Sequence, residues 1–193
     1  CGAPVDSRGS HALSCRSNPG RSQRNHWLND LVWRAMAKAG FPSIKEPRGL
    51  LRTDGKRPDG LSLIPWQDGR CVTWDVTVTD TDAASYLNNT ASCPGSAAEA
   101  AASRKEDKYA EIAVRYHFFP LAFETFGPIN QAGCEFLSSL GHRLSLVSDD
   151  PRETSFLFQR LSVSIQRFNS VCFCNSFGNL PAQFFTSWDT PRV

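Results

Sequence analysis

The sequence predicts an α/β domain in which a small mixed β-sheet lies between layers of helices. Segments with helical periodicity alternate along the chain with segments of strand length, in the order helix, strand, hairpin, helix, strand and two helices. The 193 residues, 40% hydrophobic and 21% charged, suffice for one domain with a buried core. No apolar run is long enough for a membrane span. The net charge of +2 is too small to indicate nucleic-acid binding by itself.

The first regular element is an amphipathic helix over 22–39. Apolar residues recur there at helical spacing, and Gly40 with Pro42 ends the helix. A short strand over 41–46 follows. Residues 1–20 are rich in Gly, Ser, Pro and Arg and show no period. We therefore expect a loop-like segment that is ordered only if something outside it holds it in place.

A β-hairpin is predicted next. Two strand-like runs, 61–66 and 72–79, flank the sequence QDGR at 67–70, whose Asp-Gly pair favours a tight turn between antiparallel strands. In the second run, valines and a tryptophan alternate with threonines and Asp75, so Asp75 lies on the face opposite to the apolar residues. A turn centred in this loop places Asp75 opposite one of residues 59–62.

The second half of the chain contains three helices and one strand. A helix is predicted over 96–116, and the nearly continuous apolar run 117–126 predicts a central strand covered on both sides. Two further helices are expected over about 130–147 and 152–171. The last residues have no period, and we treat 175–193 as a tail.

Two aspartates are the strongest candidates for chemistry. Asp59 precedes the first hairpin strand within KRPDG, and Asp75 lies in the second within WDVTV. The expected registers bring them within about 10 Å of each other. Two adjacent carboxylates repel unless a cation neutralises them, and oxygen ligands of this kind suit Mg²⁺. A metal there lowers the pKa of a bound water, which is the requirement for phosphodiester hydrolysis.

Two lysines on the following helix are candidates for the same site. Lys105 and Lys108 are three residues apart on one helical face, beside the apolar stripe that contains Tyr109. A lysine there would orient the attacking water or neutralise the scissile phosphate. The alternatives are that both lysines form exposed ion pairs with neighbouring acids and that Asp75 is a solvent-facing strand residue.

Other acidic residues compete for a metal-binding role. Asp80 and Asp82 follow the second hairpin strand, where a turn is the more favourable interpretation. Glu46 and Glu124 lie on predicted strands and are candidates for supporting metal ligands. The alternative for each is a salt bridge to an arginine, which we favour for Glu124.

These motifs resemble the PD-(D/E)xK signature of restriction-like endonucleases. RPDG at 57–60, WDVTV at 74–78 and RKEDKY at 104–109 together are similar to the endonuclease domain that follows the reverse transcriptase in polyproteins of site-specific non-LTR retrotransposons. The resemblance covers roughly residues 1–170. It implies a restriction-endonuclease-like core, a location in the nucleus, and nicking of target DNA so that the freed 3′ end primes reverse transcription.

The resemblance also implies roles for individual residues. Asp59 and Asp75 would hold Mg²⁺ or Mn²⁺. Lys105 or Lys108 would supply the lysine function, because the lysine of this family has moved from the strand to the helix. Thr77 stands at the strand position where the simpler nucleases carry their lysine.

The same family places a zinc-knuckle-like Cys-Cys-His-Cys cluster before the nuclease core. Cys1, His11 and Cys15 would be the last three zinc ligands, and the first would lie upstream. Three ligands alone leave a closed tetrahedral site incomplete. We expect a fragment of a longer protein, because the chain begins at Cys1 and its only methionine is Met36. The residues expected to contact the DNA backbone are Arg21, Arg24, His26, Lys56 and Arg57.

The sequence is thus interpreted as a zinc-knuckle remnant and basic linker (1–20), a restriction-like endonuclease domain (21–174) and a tail (175–193). We expect a Mg²⁺-dependent enzyme that binds DNA in a salt-dependent manner, with reverse transcriptase upstream and no membrane partner. One alternative is a catalytically inactive, decayed or repurposed nucleic-acid-binding domain of the same fold. Another is an unrelated α/β domain, in which Asp59 and Asp75 would lie far apart.

Overall fold

The computed structural model describes residues 1, 9–50, 55–83 and 86–176. Most of the predicted tail and part of the predicted N-terminal linker therefore lie outside the described residues. The helices are α1 (Ser10–Ser14), α2 (Pro19–Lys38), α3 (Leu87–Thr90), α4 (Ser96–Lys108), α5 (Ala110–Ala113), α6 (Gln131–Ser148) and α7 (Glu153–Cys174), and the strands are β1 (Ser43–Lys45), β2 (Gly60–Ser62), β3 (Val72–Thr79) and β4 (His117–Glu124). None of the helices in the described ranges combines the length and apolar character that crossing a membrane requires.

The four strands form one mixed sheet in the order β1-β2-β3-β4. β2 pairs antiparallel with both β1 and β3, and β4 pairs parallel with β3. The predicted hairpin is confirmed. Asp68 and Gly69 have φ angles of 50° and 71°, the left-handed conformation that a two-residue type I′ turn requires. The register pairs Gly60 with Trp74, so the residue before Gly60 lies across from Asp75.

Helices cover both faces of the sheet, which confirms the predicted α/β architecture with a small mixed sheet between helical layers. The main core lies between one face and helices α2, α6 and α7. Four alternate residues of β3 point into this core, as predicted: Val72, Trp74, Val76 and Val78. On the other face α4 packs its alanines against Ala122 of β4, next to the face of β3 that carries Asp75.

The prediction that 117–126 is a central strand is wrong, because β4 lies at the edge of the sheet. Its outer edge is nevertheless covered by Asn130, whose backbone N–H donates to the Ala122 carbonyl at 3.1 Å. The Asn130 side-chain oxygen accepts from the Ala122 N–H at 2.9 Å. Both faces are covered by helices, as predicted, and this coverage accounts for the apolar composition without a second neighbouring strand.

Several element boundaries also differ from the predictions. The strands expected over 41–46 and 61–66 are the three-residue strands β1 and β2. The helix expected over 96–116 is interrupted at Tyr109, whose φ of −107° separates α4 from α5. The two helices expected over 130–147 and 152–171 are confirmed as α6 and α7.

The N-terminal segment, expected to be loop-like, contains α1 and the first residues of α2. Helix α2 begins with Pro19, and Asn18 caps it by accepting from the Gly20 N–H at 3.0 Å. The Asn18 amide also donates to the carbonyls of Ala12, at 3.2 Å, and Cys172, at 2.7 Å. This buried side chain therefore ties α1, α2 and α7 together.

Candidate functional site

The structure brings Asp59 and Asp75 together across the β2–β3 pair. The Asp59 N–H donates to the Trp74 carbonyl at 2.9 Å, so the hydrogen-bond ladder continues one residue beyond β2. Asp59 Oδ2 also accepts from the Val76 N–H at 2.7 Å, which fixes the orientation of the carboxylate. Within the described ranges, Asp59 Oδ1 makes no hydrogen bond and remains available to a ligand.

Asp75 is buried, and both of its oxygens have partners. Its Oδ2 forms an ion pair with Lys105, and its Oδ1 accepts from the Tyr109 hydroxyl at 2.9 Å. Only 5% of the Asp75 side chain is exposed, so the alternative of a solvent-facing residue is wrong. The side chain of Lys105, the partner of Asp75 in this ion pair, is only 24% exposed.

The electrostatics of the pair favour a cation. The pKa of Asp59 is raised to about 6, first because burial disfavours the ionised carboxylate and second because the Asp75 charge lies nearby. The Val76 N–H and Lys105 act in the opposite direction. Lys105 pairs directly with Asp75 only, and the oxygens of both carboxylates are the donors that hard divalent cations prefer, so this residue set fits Mg²⁺ or Mn²⁺.

Lys108 and Tyr109 complete the inner side of the site. The Lys108 ammonium donates to the Tyr109 hydroxyl at 2.7 Å and lies 4.3 Å from the centre of its ring. The hydroxyl is also 2.9 Å from the backbone carbonyl of Arg57. Lys105 therefore contacts Asp75 directly, whereas Lys108 reaches it through Tyr109. The sequence identified Tyr109 only as a core residue, although its spacing of four from Lys105 places both on one helical face.

A polar cleft of about 220 Å³ adjoins Asp59. The residues that line it are Ser22, Asn25, His26, Asn29, Glu46, Asp59 and Val76. His26 Nδ1 lies 2.7 Å from the Ser22 carbonyl, which can only accept, so Nδ1 carries the proton and Nε2 is the other polar atom of this exposed ring. The Asn29 amide donates to the Asp59 carbonyl at 3.3 Å and thereby links α2 to the site.

Glu46 lies beside Asp59 in this cleft and is also paired with an arginine. Its φ of 47° is unusual for a residue other than glycine. Its carboxylate forms an ion pair with Arg57, and the hydrogen bond from that guanidinium lowers the pKa of Glu46. The salt bridge given as the alternative for Glu46 is therefore present, in a position that also borders the site.

The other acidic candidates have structural roles. Glu124 is fully buried and accepts from the N–H groups of Ala97, at 3.0 Å, and Ala98, at 3.3 Å, so it caps α4. The arginine salt bridge favoured for Glu124 is absent from its contacts with the described residues. Asp80 accepts from the Asp82 N–H at 3.3 Å, which is the turn expected for this pair.

The predicted DNA-contacting residues differ in exposure. Arg24 is only 1% exposed, and its guanidinium donates to Asn169 at 2.6 Å, so the prediction that Arg24 contacts the DNA backbone is wrong. Arg24 lies on the side of α2 that packs against α7, and burial lowers the pKa of its guanidinium. Lys56 and His26 are exposed, whereas Arg21 is half-buried. Arg57, also half-buried, is held by Glu46.

A second cluster of metal-ligating side chains lies near the N-terminus. The ligand atoms of Cys1, His11 and Cys15 all lie within 4.8 Å of one another. Cys1 Sγ is 3.0 Å from His11 Nε2. Thiolate and imidazole donors at these separations can hold a metal such as zinc. All seven cysteines are free thiols.

Comparisons with known proteins add no relative. No protein-family model matches this chain, and a search of the curated proteins gives no match.

Proposed function

We propose that this chain is a Mg²⁺-dependent, restriction-like DNA endonuclease domain that nicks target DNA. The observation that carries the proposal is the convergence of Asp59, Asp75 and Lys105 beside a polar cleft. The proposal includes the setting that the motifs suggest, a retrotransposon-type polyprotein with reverse transcriptase upstream, acting in the nucleus.

The charges of the site support a divalent cation between the two aspartates. With Asp59 ionised, two carboxylates lie close together in a partly buried position, and Lys105 pairs directly with only one of them, Asp75. Asp59 and Asp75 would hold the ion. When bound, Mg²⁺ would supply an acidified water and offset negative charge on the phosphate.

The side chains around the aspartates have separate tasks in this proposal. The Val76 N–H holds Oδ2 of Asp59 and leaves Oδ1 for the cation. Lys105 neutralises Asp75 in the free protein, and its ammonium group would turn to the scissile phosphate once a cation shares Asp75.

The exposed basic residues near the cleft support DNA as the substrate. Lys56 directly precedes the site segment, and His26 lies on the cleft wall. Contacts of this kind neutralise phosphates without reading sequence, and they release counterions when DNA binds. Affinity for DNA should therefore fall with increasing salt.

A second candidate function is DNA binding without cleavage. The observation that favours it is that both Asp75 oxygens already have partners within the protein, so Asp75 is satisfied without a metal ion. In that case Asp75 and Lys105 would form a structural ion pair beneath a nucleic-acid-binding surface.

Nicking of supercoiled plasmid distinguishes the two functions. We expect the wild-type chain to nick in Mg²⁺ or Mn²⁺ and to be inactive in EDTA, and we expect Asp59→Asn or Asp75→Asn to lower the rate by about 100-fold or more. Asp68→Asn is the matched control, because Asp68 lies at the exposed hairpin turn and asparagine tolerates its positive φ. Binding in a gel shift without cleavage would support the second candidate, and absence of both activities would contradict each proposal.

A further inference from the structure

We infer that Tyr109 is a positioning residue that holds Asp75 in place and couples Lys108 to it. The inference rests on the proposed function, because it names a further residue of the same site. It also resolves the roles of the two helix lysines, which their spacing alone leaves open.

Tyr109 is held rigidly at the junction of α4 and α5. Its side chain is fully buried, with the Phe118 ring centre 4.9 Å from its own and the Lys108 ammonium over the ring. These contacts fix the place of the phenol oxygen, which lies 2.9 Å from Asp75 Oδ1 and 2.9 Å from the Arg57 carbonyl. The hydroxyl therefore bridges β3 to the segment that leads into Asp59.

The proton count of this hydroxyl suits a site that accepts a cation. A phenol has one proton, whereas Asp75 Oδ1 and the Arg57 carbonyl are both acceptors, so the proton serves one of them at a time. If a cation takes Asp75 Oδ2, which Lys105 holds in the free protein, the Tyr109 hydroxyl keeps its bond to Oδ1 and the buried donor keeps a partner. Tyr109 thus orients the carboxylate in the free protein and would continue to orient it with the cation bound.

The two lysines then act at different distances from the reacting atoms. Lys105 pairs with Asp75 and is the lysine that lies at the proposed metal site. Lys108 donates to the Tyr109 oxygen at 2.7 Å, which strengthens the hydroxyl as a donor toward Asp75. Lys108 is therefore a second positioning residue whose effect passes through Tyr109.

Calorimetric titration with Mn²⁺ tests the inference. We expect Tyr109→Phe to weaken Mn²⁺ affinity by about 10–100-fold, the usual effect of losing a group that orients a metal ligand. Affinity for DNA in a gel shift should stay within about twofold, because phenylalanine keeps the buried ring and the DNA-binding surface is unchanged. Tyr86→Phe is the matched control, because it removes an exposed hydroxyl whose partner is Arg104 instead of Asp75.

A double-mutant cycle tests the coupling to Lys108. If Lys108 acts through Tyr109, Lys108→Met combined with Tyr109→Phe should weaken Mn²⁺ binding no more than Tyr109→Phe alone. If the double variant instead loses Mn²⁺ affinity by the product of the two single losses, the coupling is overturned. If Tyr109→Phe fails to fold, Lys108→Met alone decides, and unchanged Mn²⁺ affinity in that variant would overturn the inference.

The same titrations separate the failure of this inference from that of the proposed function. If Asp59→Asn removes Mn²⁺ binding but Tyr109→Phe leaves it unchanged, the metal site stands and the role of Tyr109 is refuted. If wild-type and Asp59→Asn proteins bind Mn²⁺ equally, or neither binds it, the aspartate site itself is refuted and the role of Tyr109 with it.

Discussion

Asp59 combines two requirements that normally oppose each other in a folded protein. Its backbone N–H and one carboxylate oxygen complete the β-ladder, whereas burial and the neighbouring Asp75 disfavour its ionisation and raise its pKa to about 6. A residue selected only for stability would avoid the cost of burying an ionisable carboxyl beside a second carboxylate. The arrangement is typical of sites where charge is concentrated for binding or catalysis.

The pH dependence of stability tests this interpretation at the residue scale. A carboxyl whose pKa rises from 3.8 to about 6 on folding contributes stability that is complete below pH 3.8 and is lost as the pH rises through about 6. Asp59→Asn removes this dependence. In EDTA, the melting temperature of the variant relative to wild type should therefore increase between pH 4 and pH 7.

Asp150→Asn is the control for these melting curves. Arg152 lowers the pKa of Asp150 to about 2, the opposite direction, so the melting temperature of this variant relative to wild type should not increase between pH 4 and pH 7. The absence of an increase for Asp59→Asn would likewise contradict the raised pKa.

At the scale of elements, the site depends on the close approach of β2 to β3. Gly60 packs directly on the Trp74 ring, and a Cβ at this position would overlap the ring atoms. Trp74 is fully buried and donates to Asn29 at 2.8 Å, so it has little room to move. The glycine after Asp59 is therefore a packing requirement of the hairpin that carries both aspartates.

Substitution at Gly60 should measure that requirement. We expect Gly60→Ala to reduce the free energy of unfolding by about 1–3 kcal/mol through overpacking, measured by urea denaturation. Gly49→Ala is the control, because a Cβ there meets nothing within 4 Å, and its effect should stay within about 0.5 kcal/mol. Equal effects of the two substitutions would show that the contact with Trp74 is unimportant.

Local chemistry explains which elements the sequence could predict. The QDGR turn determines its own φ angles, and the alternation of β3 determines its faces, so the position of Asp75 opposite one of residues 59–62 followed from residues close in sequence, whereas the register that selects Asp59 did not. The edge position of β4 was not predictable in this way, because helices covering both faces produce the same apolar run as a central strand.

The individual side chains that were misjudged all depend on distant partners. Arg24 appears in the sequence as one of several basic residues on a helix, and only the packing of α7 buries it against Asn169. Glu124 becomes a helix cap because α4 happens to begin above it. Tyr109 appears as a core residue until β3 brings Asp75 to its hydroxyl.

At the scale of the whole molecule, the N-terminal cluster of possible metal ligands lies where α1 packs against the rest of the domain. His11 lies within α1 and Cys15 directly follows it, and Asn18 connects that helix to α2 and α7. A metal ion held by the three ligands would stabilise the folded chain by binding it preferentially. The ion would thus support α1, which Asn18 ties to α2, the helix that lines the cleft.

Thermal denaturation with Zn²⁺ tests this role. At a free Zn²⁺ concentration about 100 times the dissociation constant, binding to the folded state alone increases the free energy of unfolding by about 2.7 kcal/mol. For a domain of this size, that increase raises Tm by roughly 5–10 °C. Cys15→Ser should abolish the rise, whereas Cys93→Ser, at an exposed cysteine outside the cluster, should retain it. An unchanged rise in Cys15→Ser would place zinc elsewhere.

The most direct measurement is anomalous diffraction from crystals soaked in Mn²⁺. A peak bridged by the carboxylates of Asp59 and Asp75, and lost in Asp59→Asn crystals, is the predicted result. If Mn²⁺ appears only at other positions while Lys105 stays paired with Asp75, the two strands carry a structural ion pair and the proposed hydrolytic site does not exist.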